Sequence, residues 1–302
     1  LKRCLLFMVL ISNVVFGQLI FTYKDIVGDD NGPGMYTYPL DPIFETGSFD
    51  LKTFSIYLEE DNYVFVFEVD SNFKNNWKNK NGWDIQMFDV YLNFDEGRYT
   101  QAVAGRNVKF NDGWDKVIVV SPEDNEKMWE KEIRGKNEFV GDDIYNPENI
   151  LDGIITPEIF EIKENKLFAK VNKDKLKDMR KLTAIQVFVM GTDAYPDALY
   201  TYVRKVNEFN SQWRFGGGSD YFGNPNVIDM LGDNSSLGNY LSTEDESVYP
   251  IIDMIKLSKK NKKVIEKKFN ILNNRENYNT SKYNNVCLNT LKENIFYVIF
   301  II

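Results

Sequence analysis

The chain has 302 residues, a formal net charge of −9 and 15% aromatic residues, with 17 Tyr and 22 Phe. Such an acidic chain lacks the basic face that a phosphate backbone requires, which excludes nucleic acid as a partner. It contains no histidine, which removes Ser-His and Cys-His nucleophile pairs, His-ligated zinc and proximal-His haem.

Residues 1–17, LKRCLLFMVLISNVVFG, read as a secretory signal peptide. Lys2 and Arg3 form its charged start, an apolar run follows, and Val15-Phe16-Gly17 closes on a small residue. The run is shorter than the ~20 residues a membrane span needs. An exported protein is therefore expected: extracellular, periplasmic or associated with the cell surface. Cys4 lies in this leader and Cys287 near the other end, so residues 18–256 carry no thiol nucleophile, disulfide or thiolate metal site.

From Gln18 the sequence reads as strands. Gln18–Tyr23 is a short apolar run, and Phe54–Leu58 and Tyr63–Val69 flank Glu59-Glu60-Asp61-Asn62 as a hairpin. The segment YVFVFEV is apolar almost throughout, as a strand buried on both faces would be. Asp84–Phe94 alternates Val90, Leu92 and Phe94 against Tyr91 and Asn93, the pattern of a half-buried strand. Asp115–Val120, two strands in 159–172 around Lys163-Glu164-Asn165, Ala184–Met190 and Leu199–Val206 continue the series. Lys173–Lys181 is a short charged helix candidate, and 121–152 is an acidic excursion. No repeat and no βαβ spacing occurs. The expected fold is all-β: a single large β-sandwich of two mainly antiparallel sheets, with long loops and a short helix.

The stretch DIVGDDNGPGMYTYPLDPIFETGSFD, residues 25–50, is too rich in Gly and Pro for a helix or central strand. A loop of this length inside a domain is uncommon and often functional. Asp25, Asp29, Asp30 and Asn31 offer the oxygen ligands that Ca²⁺ takes. Two readings stay open for them: Asx-turns and strand caps, or a structural Ca²⁺ site. Their spacing is not that of an EF-hand. Gly216-Gly217-Gly218 is not followed by Lys-Ser/Thr, so it is no phosphate cradle and no nucleotide is expected. Instead it allows close passage of a loop.

Beyond residue 256 the composition changes. Residues 256–302 hold ten Lys and Arg against three Asp and Glu, and Asn is abundant. Residues 257–302 are expected to be a basic, disordered tail, either a linker or a segment attracted to anionic envelope polymers.

Aromatic residues exceed what a core needs. Trp77, Trp83, Trp129 and Tyr195 stand in polar, loop-like surroundings, where indole and phenol faces suit a sugar-binding platform. The alternative is that each ring lids an end of the sandwich. Trp114 and Trp213 are assigned to the core. The acid pairs Asp84/Asp89 and Asp193/Asp197 admit a two-carboxylate glycosidase by residue type alone, but in an acidic chain such residues are far more often turn formers.

GDDNGPGMYTYP with Phe49-Asp50-Leu51 resembles the opening of the C-terminal module of glucodextranases and thermophilic amylopullulanases. Gly105-Arg106-Asn107, Gly113-Trp114-Asp115, Trp213-Arg214-Phe215-Gly216-Gly217-Gly218 and Pro225-Asn226-Val227-Ile228-Asp229 follow in the same order, so that the resemblance spans roughly residues 20–256. It implies a β-sandwich similar to surface-layer-homology and carbohydrate-binding modules. The related enzymes carry catalysis in other domains. A non-enzymatic module that binds α-glucan or a similar polysaccharide is therefore expected. The alternative is a scaffold attached to a cell-envelope polymer.

Overall fold

The computed structural model describes residues 17–123, 151–193 and 203–272. In chain order the strands are β1 (Gln18–Lys24), β2 (Leu51–Leu58), β3 (Asn62–Val69), β4 (Gln86–Asn93), β5 (Tyr99–Gln101) and β6 (Lys109–Trp114). Then come β7 (Lys116–Val120), β8 (Ile154–Ile155), β9 (Ile159–Lys163), β10 (Lys166–Asn172) and β11 (Ala184–Gly191). The short strands β12 (Asp229–Met230), β13 (Leu241–Ser242), β14 (Ser247–Val248), β15 (Ile251–Ile252) and β16 (Ile255–Lys256) complete the set.

One sheet has the order β1-β2-β3-β10-β9, all antiparallel. The second has the order β12-β11-β4-β7-β8, with β16 also pairing β11. Phe54, Phe65, Phe67, Leu167 and Val171 of the first face Phe88, Val90, Leu92, Val187 and Val189 of the second, and these residues belong to one core. The period of two along each strand puts them on the shared face. The all-β sandwich expected from the sequence is thus the observed architecture.

The second sheet is buried on its other face as well. Met87, Tyr91, Val117, Val119, Phe188 and Met190 form a second core with Phe110, Trp114 and Val227, covered by the three-stranded layer β15-β6-β5. This corrects the half-buried reading of Asp84–Phe94, because every residue of β4 is buried. The polar residues of β4 are kept there by specific partners. Asp89 pairs with Arg106, and Asn93 Nδ2 donates to the Gly113 carbonyl at 2.9 Å.

Other differences are local. Lys173–Lys181 forms two 3-10 turns, Lys173–Lys175 and Met179–Lys181, not one helix. The described part of the strand expected over 199–206 makes only isolated bridges, Thr192 with Val203 and Val206 with Phe215. The tail expected to be disordered from 257 begins instead with a helix, α1, over residues 259–272. Its Ile265 is 1% exposed within the first core, and Phe269 and Leu272 pack against that core. The leader, most of the acidic excursion and the chain beyond 272 lie outside the described residues.

Candidate functional site

The loop between β1 and β2 docks on the segment 206–234, and the contacts run along both stretches. Gly32 N donates to the Ile228 carbonyl at 2.7 Å, and the Tyr36 hydroxyl to the Pro225 carbonyl at 2.7 Å. Thr37 and Gly216 exchange two backbone bonds of 3.0 Å. The Tyr38 ring meets Phe49 and Phe215 edge-on at 5.4 and 5.7 Å. Glycine is required where the two stretches touch. Gly217 has φ +87°, and a Cβ there would lie 2.1 Å from the Met35 carbonyl oxygen. The expected close passage at the glycine triplet is therefore observed.

Docking gathers four aspartates. Asp25 follows β1, Asp29 lies in the loop, Asp50 precedes β2 and Asp229 opens β12. Carboxylate oxygens of Asp29, Asp50 and Asp229 lie within 4.8 Å of one another. Asp50 and Asp229 are 2% and 0% exposed. Amides hold one oxygen of Asp25, one of Asp50 and both of Asp229. Asp25 Oδ1 accepts from Gly232 N at 2.8 Å and Ile26 N at 3.0 Å, and Asp50 Oδ2 accepts from Gly28 N at 2.7 Å. Asp229 Oδ2 accepts from Leu51 N at 2.8 Å, and its Oδ1 from Asn234 Nδ2 at 3.1 Å. Three further oxygens, Asp25 Oδ2, Asp29 Oδ1 and Asp50 Oδ1, are shielded from solvent and accept from no donor among the described residues.

Burial without a countercharge makes these groups hard to ionise. Loss of solvent pushes the Asp25 carboxyl up to about 7, with Asp29 and Asp50 adding repulsion. It pushes Asp29 to about 6 and Asp50 to about 6. Asp229 is raised well above the usual carboxylate range, first by burial and then by Asp29 and Asp25.

Of the candidate ligands read from the sequence, Asp29 joins the cluster and Asp25 stands beside it. Asp30 accepts the Tyr38 hydroxyl and adds repulsion to Asp29 and Asp50. Asn31 serves the turn, its carbonyl accepting from Gly34 N and Tyr36 N at 3.0 and 2.9 Å. Asp50 and Asp229 were not among the candidates, although both stand inside the quoted motifs. A donor set of carboxylate oxygens alone suits a hard cation such as Ca²⁺ and not zinc.

The candidate sugar platform fares unevenly. Trp83 is 0% exposed, its Nε1 donating to the Gln86 carbonyl at 2.7 Å and its ring packed on Phe160 at 5.3 Å. It is a core residue and leaves the platform, because its ring turns inward immediately before β4. Trp77 is half-buried, its amide donating to Asp84 Oδ1 at 3.1 Å. Its ring lies 6.1 Å from that of Trp213, which is half-buried too. Phe209, in the same loop as Trp213, is 76% exposed, and Tyr221 and Phe222 are exposed further along. Trp129 and Tyr195 lie outside the described residues. Of the carboxylates considered for catalysis, the three that are described are occupied structurally. Asp84 holds the loop of Trp77, Asp89 is bound by Arg106, and Asp193 pairs with Arg214 at 2.6 Å. Asp197 lies outside the described residues.

Residues 20–264 match the family described as the C-terminal binding module, SLH-like, of glucodextranase. The match reaches into α1, eight residues past the boundary expected at 256. No curated protein matches the chain.

Proposed function

The chain belongs to the family of SLH-like C-terminal binding modules of glucodextranase, and from that membership we propose that it is an exported, non-catalytic protein that binds polysaccharide of the α-glucan class. The family is one of binding modules and not of catalytic domains, and this observation carries the reading. It is supported by half-buried Trp77 beside Trp213, with Phe209 exposed on the same loop. Rings of this kind offer an apolar face to the C–H side of a sugar, while Asp41 and Gln212 nearby offer polar atoms to its hydroxyls. The absence of histidine from the sequence and the structural engagement of Asp84, Asp89 and Asp193 support the non-catalytic half. No helix among the described residues is long and apolar enough to cross a membrane.

A second reading rests on the SLH-like description of the family: attachment to a cell-envelope polymer. Affinity electrophoresis separates the two. The full chain is run in gels holding soluble starch, pullulan, dextran or isolated cell-wall polymer. Retardation by an α-glucan supports the first reading. Retardation by wall polymer alone supports the second.

A further inference from the structure

We propose that Asp29, Asp50 and Asp229, with Asp25 beside them, form a Ca²⁺ site that fastens the loop after β1 to β12. Two independent observations point to it. The first is the constellation itself. Three carboxylate oxygens from positions far apart in sequence converge within 4.8 Å, about the diameter of a shell whose Ca–O distances are near 2.4 Å. The second is that the constellation is electrostatically incomplete within the protein. Asp50 is almost fully buried, yet its Oδ1 accepts from no donor among the described residues, and the same holds for Asp29 Oδ1 and Asp25 Oδ2. None of the four aspartates makes an ion pair among those residues. Buried carboxylates in native folds are matched by cations or donors. A hard divalent ion supplies that match to Asp29, Asp50 and Asp229 at once, and its charge offsets that of Asp25 beside them.

The position says what the ion would do. Asp25 and Asp50 end the long loop at its two strands, in the first sheet, and Asp229 belongs to the second. Gly232 N and Asn234 Nδ2 already cross the same junction, to Asp25 Oδ1 and to the Asp29 carbonyl at 2.6 Å. An ion held here joins the two sheets at one edge and fixes the loop that carries Tyr36 and Tyr38 against the segment of Trp213. Ca²⁺ fits better than Mg²⁺, because the three ligands come from separate backbone positions and Mg²⁺ demands near-ideal octahedral geometry.

The test uses the full chain, stripped with EDTA and dialysed, titrated with CaCl₂ in a calorimeter and melted with and without the metal. The expected result is one equivalent of Ca²⁺, little heat from MgCl₂, and a melting temperature raised by about 5–10 °C at a hundredfold excess over Kd. Asp50→Asn should abolish the heat and the shift. Its melting temperature in EDTA should equal or exceed that of the parent, since a like charge has been removed. Asp29→Asn, at a half-exposed position, serves as a second variant should Asp50→Asn fail to fold. Asp70→Asn, an exposed acid outside the cluster, should keep one equivalent. Failure of the parent chain to bind Ca²⁺, or undiminished binding by folded Asp29→Asn and Asp50→Asn, would overturn the proposal.

Discussion

Arg106 and Asp89 face each other wholly out of solvent, Nε to Oδ2 at 2.7 Å and Nη2 to Oδ1 at 3.0 Å. Arg106 Nη1 donates to the Ala104 carbonyl at 2.8 Å, and the Tyr91 hydroxyl donates to Asp89 Oδ2 at 2.8 Å. The pair stands in the second core, between the middle sheet and the layer over it. Truncation of one partner leaves a buried charge alone, which costs about 3–5 kcal/mol, whereas an apolar replacement of both is often tolerated. Arg106→Leu is therefore expected to lose that much in urea unfolding, and Arg106→Leu with Asp89→Leu to recover most of it. Equal losses in the single and double variants would show that the pair does not act as a unit.

Gly217 tests the docking of the loop on the late motif. Alanine there meets both the positive φ and the Met35 carbonyl, and the expected cost is about 2–4 kcal/mol. Gly28 has a comparable φ of +88° with no atom within 4 Å of a Cβ, so Gly28→Ala should lose only the conformational part, about 1–2 kcal/mol. Urea unfolding of both variants checks the difference. Equal losses would mean that the close approach contributes nothing.

Helix α1 makes residues 259–272 part of the fold. Ile265→Ala is expected to cost about 2–5 kcal/mol, and a chain ending at residue 256 to melt well below one ending at 272. Matching melting temperatures for the two chains would return the domain boundary to 256.

The aspartate cluster gives stability a particular pH dependence. Asp25, Asp29 and Asp50 titrate near 7, 6 and 6 in the fold, against an ordinary value of 3.8. Between about pH 4 and 7 the native state holds protons that the unfolded chain has released, so stability falls as pH rises through that window. Below it the cluster makes no difference, and above it the penalty is complete. In EDTA the melting temperature of the parent should decline from pH 5 to pH 8 more steeply than that of Asp50→Asn. Parallel profiles would remove the cluster as the cause.

Much of the fold was legible because its strands carry plain periodicities. Tyr63–Val69, Ala184–Met190 and the pair around Lys163-Glu164-Asn165 appear in the structure within a residue or two of their expected bounds. The second core was not legible, since the polar residues of β4 gave no sign that Arg106 would bury Asp89. In α1, Ile265, Phe269 and Leu272 are spaced i, i+4, i+7, a helical stripe that the surrounding lysines concealed. The acidic site was half legible. Asp25 and Asp29 are local neighbours, whereas Asp229 lies 178 residues from Leu51, whose amide it accepts. Acids inside both quoted motifs were the signal that could have joined them. Trp83 misled because its neighbours are polar, although its own ring is satisfied within the core.

The most direct test of the functional account is the dissociation constant for a soluble α-glucan, measured on the parent chain, Trp77→Ala and Phe209→Ala, with reducing sugar assayed in the same solutions. Loss of one stacking ring is worth on the order of 1–3 kcal/mol, or roughly ten- to hundredfold in Kd. The account predicts such a loss in at least one variant with its melting temperature unchanged, and no release of reducing sugar by any of them. Unchanged Kd in both variants would contradict the platform, and sugar release abolished by a single Asp→Asn change would contradict the non-catalytic reading.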